Sequence, residues 1–120
     1  MQKIVVAITG ASGSVYANVL LTKLKRVSDP HIELAVIMTE NAKLVWQTEL
    51  GNDSWKELDV RFYTQQDFDA PFASGSGQYN TMIIMPCSMG TLGRIANGIS
   101  NDLITRSADV MLSSSASLKA

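Results

Sequence analysis

Ile4-Val5-Val6-Ala7-Ile8-Thr9-Gly10-Ala11-Ser12-Gly13-Ser14 is the stretch that decides the fold. Residues 4–8 are apolar without interruption and mostly β-branched, and they break abruptly into Gly and Ser. A strand with one solvated face alternates apolar and polar residues, whereas an unbroken run is what a strand covered on both faces requires, as in a parallel sheet. Beyond the loop, Ala17, Leu20, Leu21, Leu24 and Val27 recur at helical spacing with Lys23, Lys25 and Arg26 on the outside, and Asp29-Pro30 closes the helix. Residues 32–38 form a second apolar strand. Thr39 then opens a second helix in which Ala42, Val45 and Trp46 share a face. Strand, helix, strand, helix is the order of an α/β fold.

Regularity weakens over residues 51–80, where a short strand is expected around 60–63, and returns at 81–85 with another buried strand. Pro86-Cys87-Ser88-Met89-Gly90-Thr91 follows it. Leu92, Ile95, Ala96 and Ile99 then repeat at helical spacing, a turn falls at 98–102, and 103–112 supports a further short helix. Residues 113–120, Ser-Ser-Ser-Ala-Ser-Leu-Lys-Ala, have no periodicity and little apolar content. Three strands and a weaker fourth fall short of the five or six, roughly, of a doubly wound sheet. Residues 1–112 are therefore expected to form an incomplete α/β domain whose C-terminal part is missing, and 113–120 a non-native or disordered tail.

Ten Lys plus Arg against eleven Asp plus Glu leave a net charge of −1 over 120 residues. That balance excludes a nucleic-acid-binding surface, which needs a basic excess. With 46% apolar and 18% charged residues the chain belongs with folded globular domains. The single Cys87 cannot pair within the chain, and no apolar run reaches the length of a signal core or a membrane span. A cytoplasmic, soluble protein is the expectation.

Ligands of open parallel sheets sit outside the carboxyl ends of the strands, where residues 10–14, 39–41 and 86–91 emerge. Each loop offers hydroxyls, small residues and backbone N–H groups at a helix start, a setting that favours phosphate. Gly10-x-Ser12-Gly13-x-Val15 departs from the dinucleotide fingerprint and no P-loop is present, so a mononucleotide such as FMN fits better than NAD or ATP. The plainer alternative is that Ser12, Thr39, Ser88 and Thr91 are ordinary helix caps. Glu49 continues the face of Ala42, Val45 and Trp46; burial there would raise its pKa and make it an acid/base candidate, while a frayed helix end would release it to solvent. Arg106, on an apolar stripe with Leu103 and Val110, either pairs with Asp102 or Asp109 or faces an anionic ligand. A nucleophilic Cys87 lacks a base, since His31 opens the second strand about 20 Å away at the amino end of the sheet. No metal-ligand set is evident.

The same residues resemble the UbiX-type flavin prenyltransferases, a family formerly described as 3-octaprenyl-4-hydroxybenzoate carboxy-lyases. The likeness spans residues 3–112. Ile8-Thr9-Gly10-Ala11-Ser12-Gly13 resembles the family's N-terminal motif, and Ala73-Ser74-Gly75-Ser76 its substrate loop. Pro86-Cys87-Ser88-Met89-Gly90-Thr91-Leu92, continued by Asn101-Asp102-Leu103-Ile104-Thr105-Arg106-Ser107-Ala108-Asp109-Val110, is the most specific block. The resemblance implies a three-layer flavodoxin-like (Rossmann-like) fold that binds FMN without a metal. It implies transfer of a dimethylallyl group from dimethylallyl phosphate or pyrophosphate to N5 and C6 of reduced FMN, the prenylated flavin passing to a decarboxylase of the UbiD type. By position, Gly10, Ala11, Ser12, Thr39, Ser88, Met89, Gly90 and Thr91 would hold FMN, and Glu49 would be the acid/base with Ser12 near the flavin N5. Phe68, Ser74, Gly75 and Arg106 would lie at the prenyl-phosphate site. Relatives form homo-oligomers, commonly dodecamers.

The chain departs from the family pattern at Gly90, where some relatives carry Lys, and after Leu112, where Ser113-Ser114-Ser115 stands in place of a basic segment. Two other readings stay open. An FMN-dependent cysteine decarboxylase would share the sheet and the flavin, but it relies on a catalytic His and a Pro-Ala-Ser-Ala-Asn-Thr-type motif. A non-catalytic flavin-binding fragment would associate through its sheet edge.

Overall fold

The computed structural model describes residues 2–27, 32–114 and 116–120. Strand β1 (Gln2–Ile8) leads into helix α1 (Ser14–Val27), then β2 (Ile32–Met38), α2 (Glu40–Leu50), β3 (Arg61–Tyr63), β4 (Thr81–Ile84), α3 (Met89–Ala96), α4 (Leu103–Leu112) and β5 (Ser117–Lys119). Short 3-10 turns at Ser54–Glu57, Pro71–Ala73 and Gly75–Gly77 punctuate the long crossover between β3 and β4. The expected Asp29-Pro30 helix stop and the placement of His31 fall outside the described residues.

The sheet has the order β3-β2-β1-β4-β5, and every pairing is parallel. β1 lies at its centre, and the unbroken apolar run has its explanation there. Val5 and Ala7 enter one core with Ile37, Met82, Phe72 and Leu103, whereas Ile4, Val6 and Ile8 enter the other with Ala17, Leu21, Met38 and Trp46. Helices α1 and α2 pack side by side over the second core; α4 and the turn at Pro71–Ala73 cover the first. This is the three-layer α/β arrangement expected. Tyr63, Phe72 and Tyr79 stack edge to face at centroid distances of 4.9 and 5.2 Å, closing the crossover onto the sheet.

One expectation is corrected. Residues 117–119 are not without regular structure, because β5 pairs in parallel with β4, Thr81 opposite Ser117 and Ile83 opposite Lys119. The strand escapes a reading by periodicity because it is three residues long with a single apolar residue, Leu118, which packs on the α4 core. The sheet thereby reaches five strands. Its order reverses direction between β1 and β4, so the loops that follow β1 and β4 diverge to opposite faces and leave a crevice at the carboxyl edge.

Candidate functional site

Thr9 sits buried at the end of β1 and ties two loops together. Its hydroxyl donates to the Pro86 carbonyl at 2.6 Å and accepts the Ser88 N–H at 2.8 Å. A second constraint joins the first loop to the second: a Cβ placed on Gly10 would lie 2.6 Å from the Cβ of Asn41, so this approach admits glycine alone. The result is a polar cleft of about 380 Å³ lined by Thr9, Gly10, Thr39, Glu40, Asn41, Gln65, Ser88, Thr91 and Arg94.

Four of the expected flavin residues, Gly10, Thr39, Ser88 and Thr91, thus meet in one place. The capping role and the ligand role are compatible. Thr39 Oγ1 accepts the Ala42 N–H at 2.9 Å as cap of α2, yet its own hydroxyl hydrogen stays available to a ligand. Ser88 caps α3, accepting the Thr91 N–H at 3.1 Å, and donates its own hydroxyl hydrogen to Thr91 Oγ1 at 2.9 Å, so that hydrogen is engaged within the cap. Ala11, Met89 and Gly90 adjoin the cleft in sequence but do not line it, and Met89 is 81% exposed.

Glu49 takes neither of the two positions expected of it. The side chain is exposed rather than part of the buried face, and it is not frayed into solvent. Its carboxylate crosses to the first loop, where Oε2 accepts the Ser12 hydroxyl at 2.7 Å and Oε1 accepts the N–H groups of Gly13 at 3.1 Å and Ser14 at 2.9 Å. It therefore occupies the N-terminus of α1, where unpaired donors and the helix dipole favour an anion. The expected upward pKa shift is reversed: the Ser12 hydroxyl first, then the Ser14 and Gly13 N–H groups, hold the carboxyl down at about 2. In this arrangement Glu49 is a carboxylate and Ser12 its donor.

The residues assigned to the prenyl-phosphate side lie elsewhere. Ser74 and Gly75 line a second cleft of about 240 Å³ with Gln78, Tyr79, Asn80 and Met111, towards the amino edge of the sheet where β4 begins. Phe68 is 42% exposed and lines neither cleft. Arg106 pairs with neither Asp102 nor Asp109 among the described residues; its Nε donates to the Ala73 carbonyl at 3.2 Å and fixes the residue before Ser74. Asp102 is instead the buried cap of α4, in a capping box with Thr105, and its second oxygen accepts the Gln65 amide at 3.0 Å. Burial raises the Cys87 thiol above its ordinary range, which leaves it a protonated packing group.

Asn41 belongs to the 39–41 loop expected at the site, whereas Gln65 and Arg94 were not anticipated. Gln65 belongs to the irregular segment and reaches the cleft because its carbonyl accepts the Leu103 N–H at 2.8 Å, a contact between segments that no spacing encodes. Arg94 carried a legible signal: it is a cation on the same side of α3 as buried Thr91, not on the outward side. Among the described residues no group of His, Cys, Asp and Glu could hold a metal, and no helix is long and apolar enough to cross a membrane.

A doubly wound parallel sheet with a polar, hydroxyl-lined cleft at its carboxyl edge defines a flavodoxin-like α/β protein. The Flavoprotein family model matches residues 1–118, and the chain belongs to that family. It is 44% identical over 114 residues to the flavin prenyltransferase UbiX of Methanocaldococcus jannaschii, covering 92% of this chain and 59% of that protein. It is 38% identical over 112 residues to the flavin prenyltransferase LpdB of Lactiplantibacillus plantarum, covering 93% and 60%. The chain thus spans about three-fifths of these relatives' length. Among solved structures, AnUbiX (PadA1) in complex with FMN and dimethylallyl pyrophosphate superposes with a TM-score of 0.86 at 35% identity over 98% of this chain and 62% of that one. A dodecameric FMN-dependent UbiX-like decarboxylase from Escherichia coli O157:H7 gives 0.90 at 31%, covering 98% and 64%. The peptidyl-cysteine decarboxylase EpiD, at 18% identity and a TM-score of 0.68, shares the fold.

Proposed function

We propose that this chain is the FMN-binding part of a flavin prenyltransferase, which joins a dimethylallyl group from dimethylallyl phosphate or pyrophosphate to N5 and C6 of reduced FMN. The observation that carries the reading is the convergence of Gly10, Thr39, Ser88 and Thr91 on one cleft, in a chain 44% identical to a relative of that name. The donor set suits a phosphate-bearing flavin, since the hydroxyl residues Thr9, Thr39, Ser88 and Thr91 and the cation Arg94 line the cleft. Reduced FMN, when bound, supplies the nucleophilic ring atoms.

Within this reading the chain's residues bind and position. Thr39 presents its hydroxyl hydrogen to the flavin, Ser88 holds the start of α3 and the Thr91 side chain at the cleft, and Ala11, Met89 and Gly90 stand at the rim. Glu49 accepts the Ser12 proton hydrogen bond and so aims that hydroxyl; as a carboxylate it enters the reaction as proton acceptor, with Ser12 as the relay. Ser74 and Gly75, in their separate cleft, and Phe68 would serve the prenyl donor of a neighbouring copy's flavin, with Arg106 holding the Ser74 loop through Ala73. The full site is expected in a homo-oligomer in the cytoplasm, with the prenylated flavin handed to a decarboxylase that uses it.

Anaerobic incubation of the purified chain with reduced FMN and dimethylallyl phosphate, followed by mass spectrometry of the released flavin, tests the reading. A flavin heavier by one prenyl group is the expected product. Unmodified FMN that co-purifies would reduce the chain to a flavin-binding unit, and a chain without affinity for flavin would overturn the assignment.

A further inference from the structure

We propose that Arg94 is the phosphate-binding cation of the carboxyl-edge cleft, taking the phosphomonoester of the ligand between its guanidinium and the start of α3; this rests on the flavin reading above. Arg94 is half-buried and lines the cleft. No carboxylate pairs with it among the described residues, where its guanidinium makes a long hydrogen bond, Nη2 to Thr91 Oγ1 at 3.4 Å. Most of its fork of donors is therefore uncommitted in a site partly withdrawn from water. A cation so placed is stabilised by an anion, and the planar fork matches phosphate oxygens two at a time.

The surroundings agree. Arg94 Nη1 lies 3.4 Å from where a Gly90 Cβ would stand, so the guanidinium lies along the first turn of α3 towards the Ser88 and Thr91 hydroxyls. The carboxylate on the opposite wall, Glu40, is engaged by Lys43 at 3.1 Å, which offsets its repulsion of an anion. The rival position, the N-terminus of α1, is already filled by the Glu49 carboxylate with three hydrogen bonds. A second anion there would meet a like charge.

The test measures binding of oxidised FMN and of riboflavin, which lacks the phosphate, to the wild-type chain, Arg94→Gln and Arg94→Lys by isothermal titration. Arg94→Gln is expected to weaken FMN by about ten- to a hundredfold, in keeping with one charged hydrogen-bonded contact, while riboflavin changes by less than about twofold. Arg94→Lys is expected to fall between, and it serves alone if the Gln variant does not fold. FMN affinity unchanged in the variants, or both flavins weakened alike, would overturn the role. If the wild-type chain binds neither flavin, the flavin reading fails by itself. Titration with inorganic phosphate, read from the amide resonances of Ser88 and Thr91, then decides Arg94 separately: shifts abolished in Arg94→Gln support it, and their absence in the wild type rejects it.

Discussion

The Ser12 hydroxyl and the Glu49 carboxylate, 37 residues apart in sequence, meet at 2.7 Å across the mouth between the first loop and the end of α2. The contact joins the element that begins the candidate site to the helix that follows the second strand. Because Glu49 also takes two N–H groups of the first loop, it fixes the backbone that Gly10 brings against Asn41. Loop geometry at the cleft and the charge state of Glu49 are therefore one property.

The first prediction concerns that charge. The carboxyl is held at about 2 against an ordinary 4.5, so the folded state favours the deprotonated form. The stabilisation is complete above pH 4.5 or so and disappears as the pH falls towards 2. The melting temperature of Glu49→Gln should lie below that of the wild type at pH 7, and the gap should close between those limits. Carbon-detected titration of the Glu49 carboxyl should show a higher pKa in Ser12→Ala.

Close approach at Gly10 gives the second. Gly10→Ala drives a methyl into Asn41, at 2.6 Å, and should cost about 1–3 kcal/mol as overpacking does. Removing the opposing Cβ in Gly10→Ala/Asn41→Gly should restore part of the loss, limited by the ~1 kcal/mol that glycine costs inside a helix. Urea denaturation of the two single variants and the double variant measures the coupling. Strict additivity would mean that the two loops do not touch.

Asp102 links α4 to the cleft wall through Gln65. Asp102→Ala removes the cap of α4 and should cost about 0.5–2 kcal/mol. It should also weaken FMN binding, because Gln65 loses its anchor. Flavin affinity equal to that of the wild type, with lowered stability, would separate the cap from the site.

A fourth prediction follows from the outward side of α3. Its one charged residue, Arg94, turns to the cleft, while Met89 is 81% exposed and Leu92 44%. Ile99, just past the helix, adds to the uncovered surface at 45%. A helix with its charge inside and its apolar residues outside suits contact with a further subunit, as homo-oligomers require. Sedimentation velocity should find Leu92→Glu less associated than the wild type, with an unchanged circular dichroism spectrum.

Much of the fold was legible because each face of a parallel strand is covered. Residues 4–8 and 34–38 had to be apolar throughout, and those runs survive in the sequence as a pattern. Helices α1, α2 and α4 were legible from their periodic apolar faces, and Thr39 and Ser88 from their place just before a helix. β5 was not, because three residues with one apolar side chain carry no period and the strand exists only by pairing with β4.

The amino-acid sequence by itself determined the α/β class, the three loops at the carboxyl edge and the hydroxyls that cap α2 and α3, since these are local consequences of spacing and residue type. Only the tertiary structure decided where the Glu49 carboxylate goes and that the Arg94 guanidinium has no carboxylate beside it among the described residues. Spacing placed Glu49 on the face of Ala42 and Trp46, but the donors of the first loop draw its carboxylate to the start of α1. Whether a charge is raised or lowered in pKa, paired or left for a ligand, depends on groups that come near only when the chain is folded, so no run of neighbours in the sequence could contain the answer.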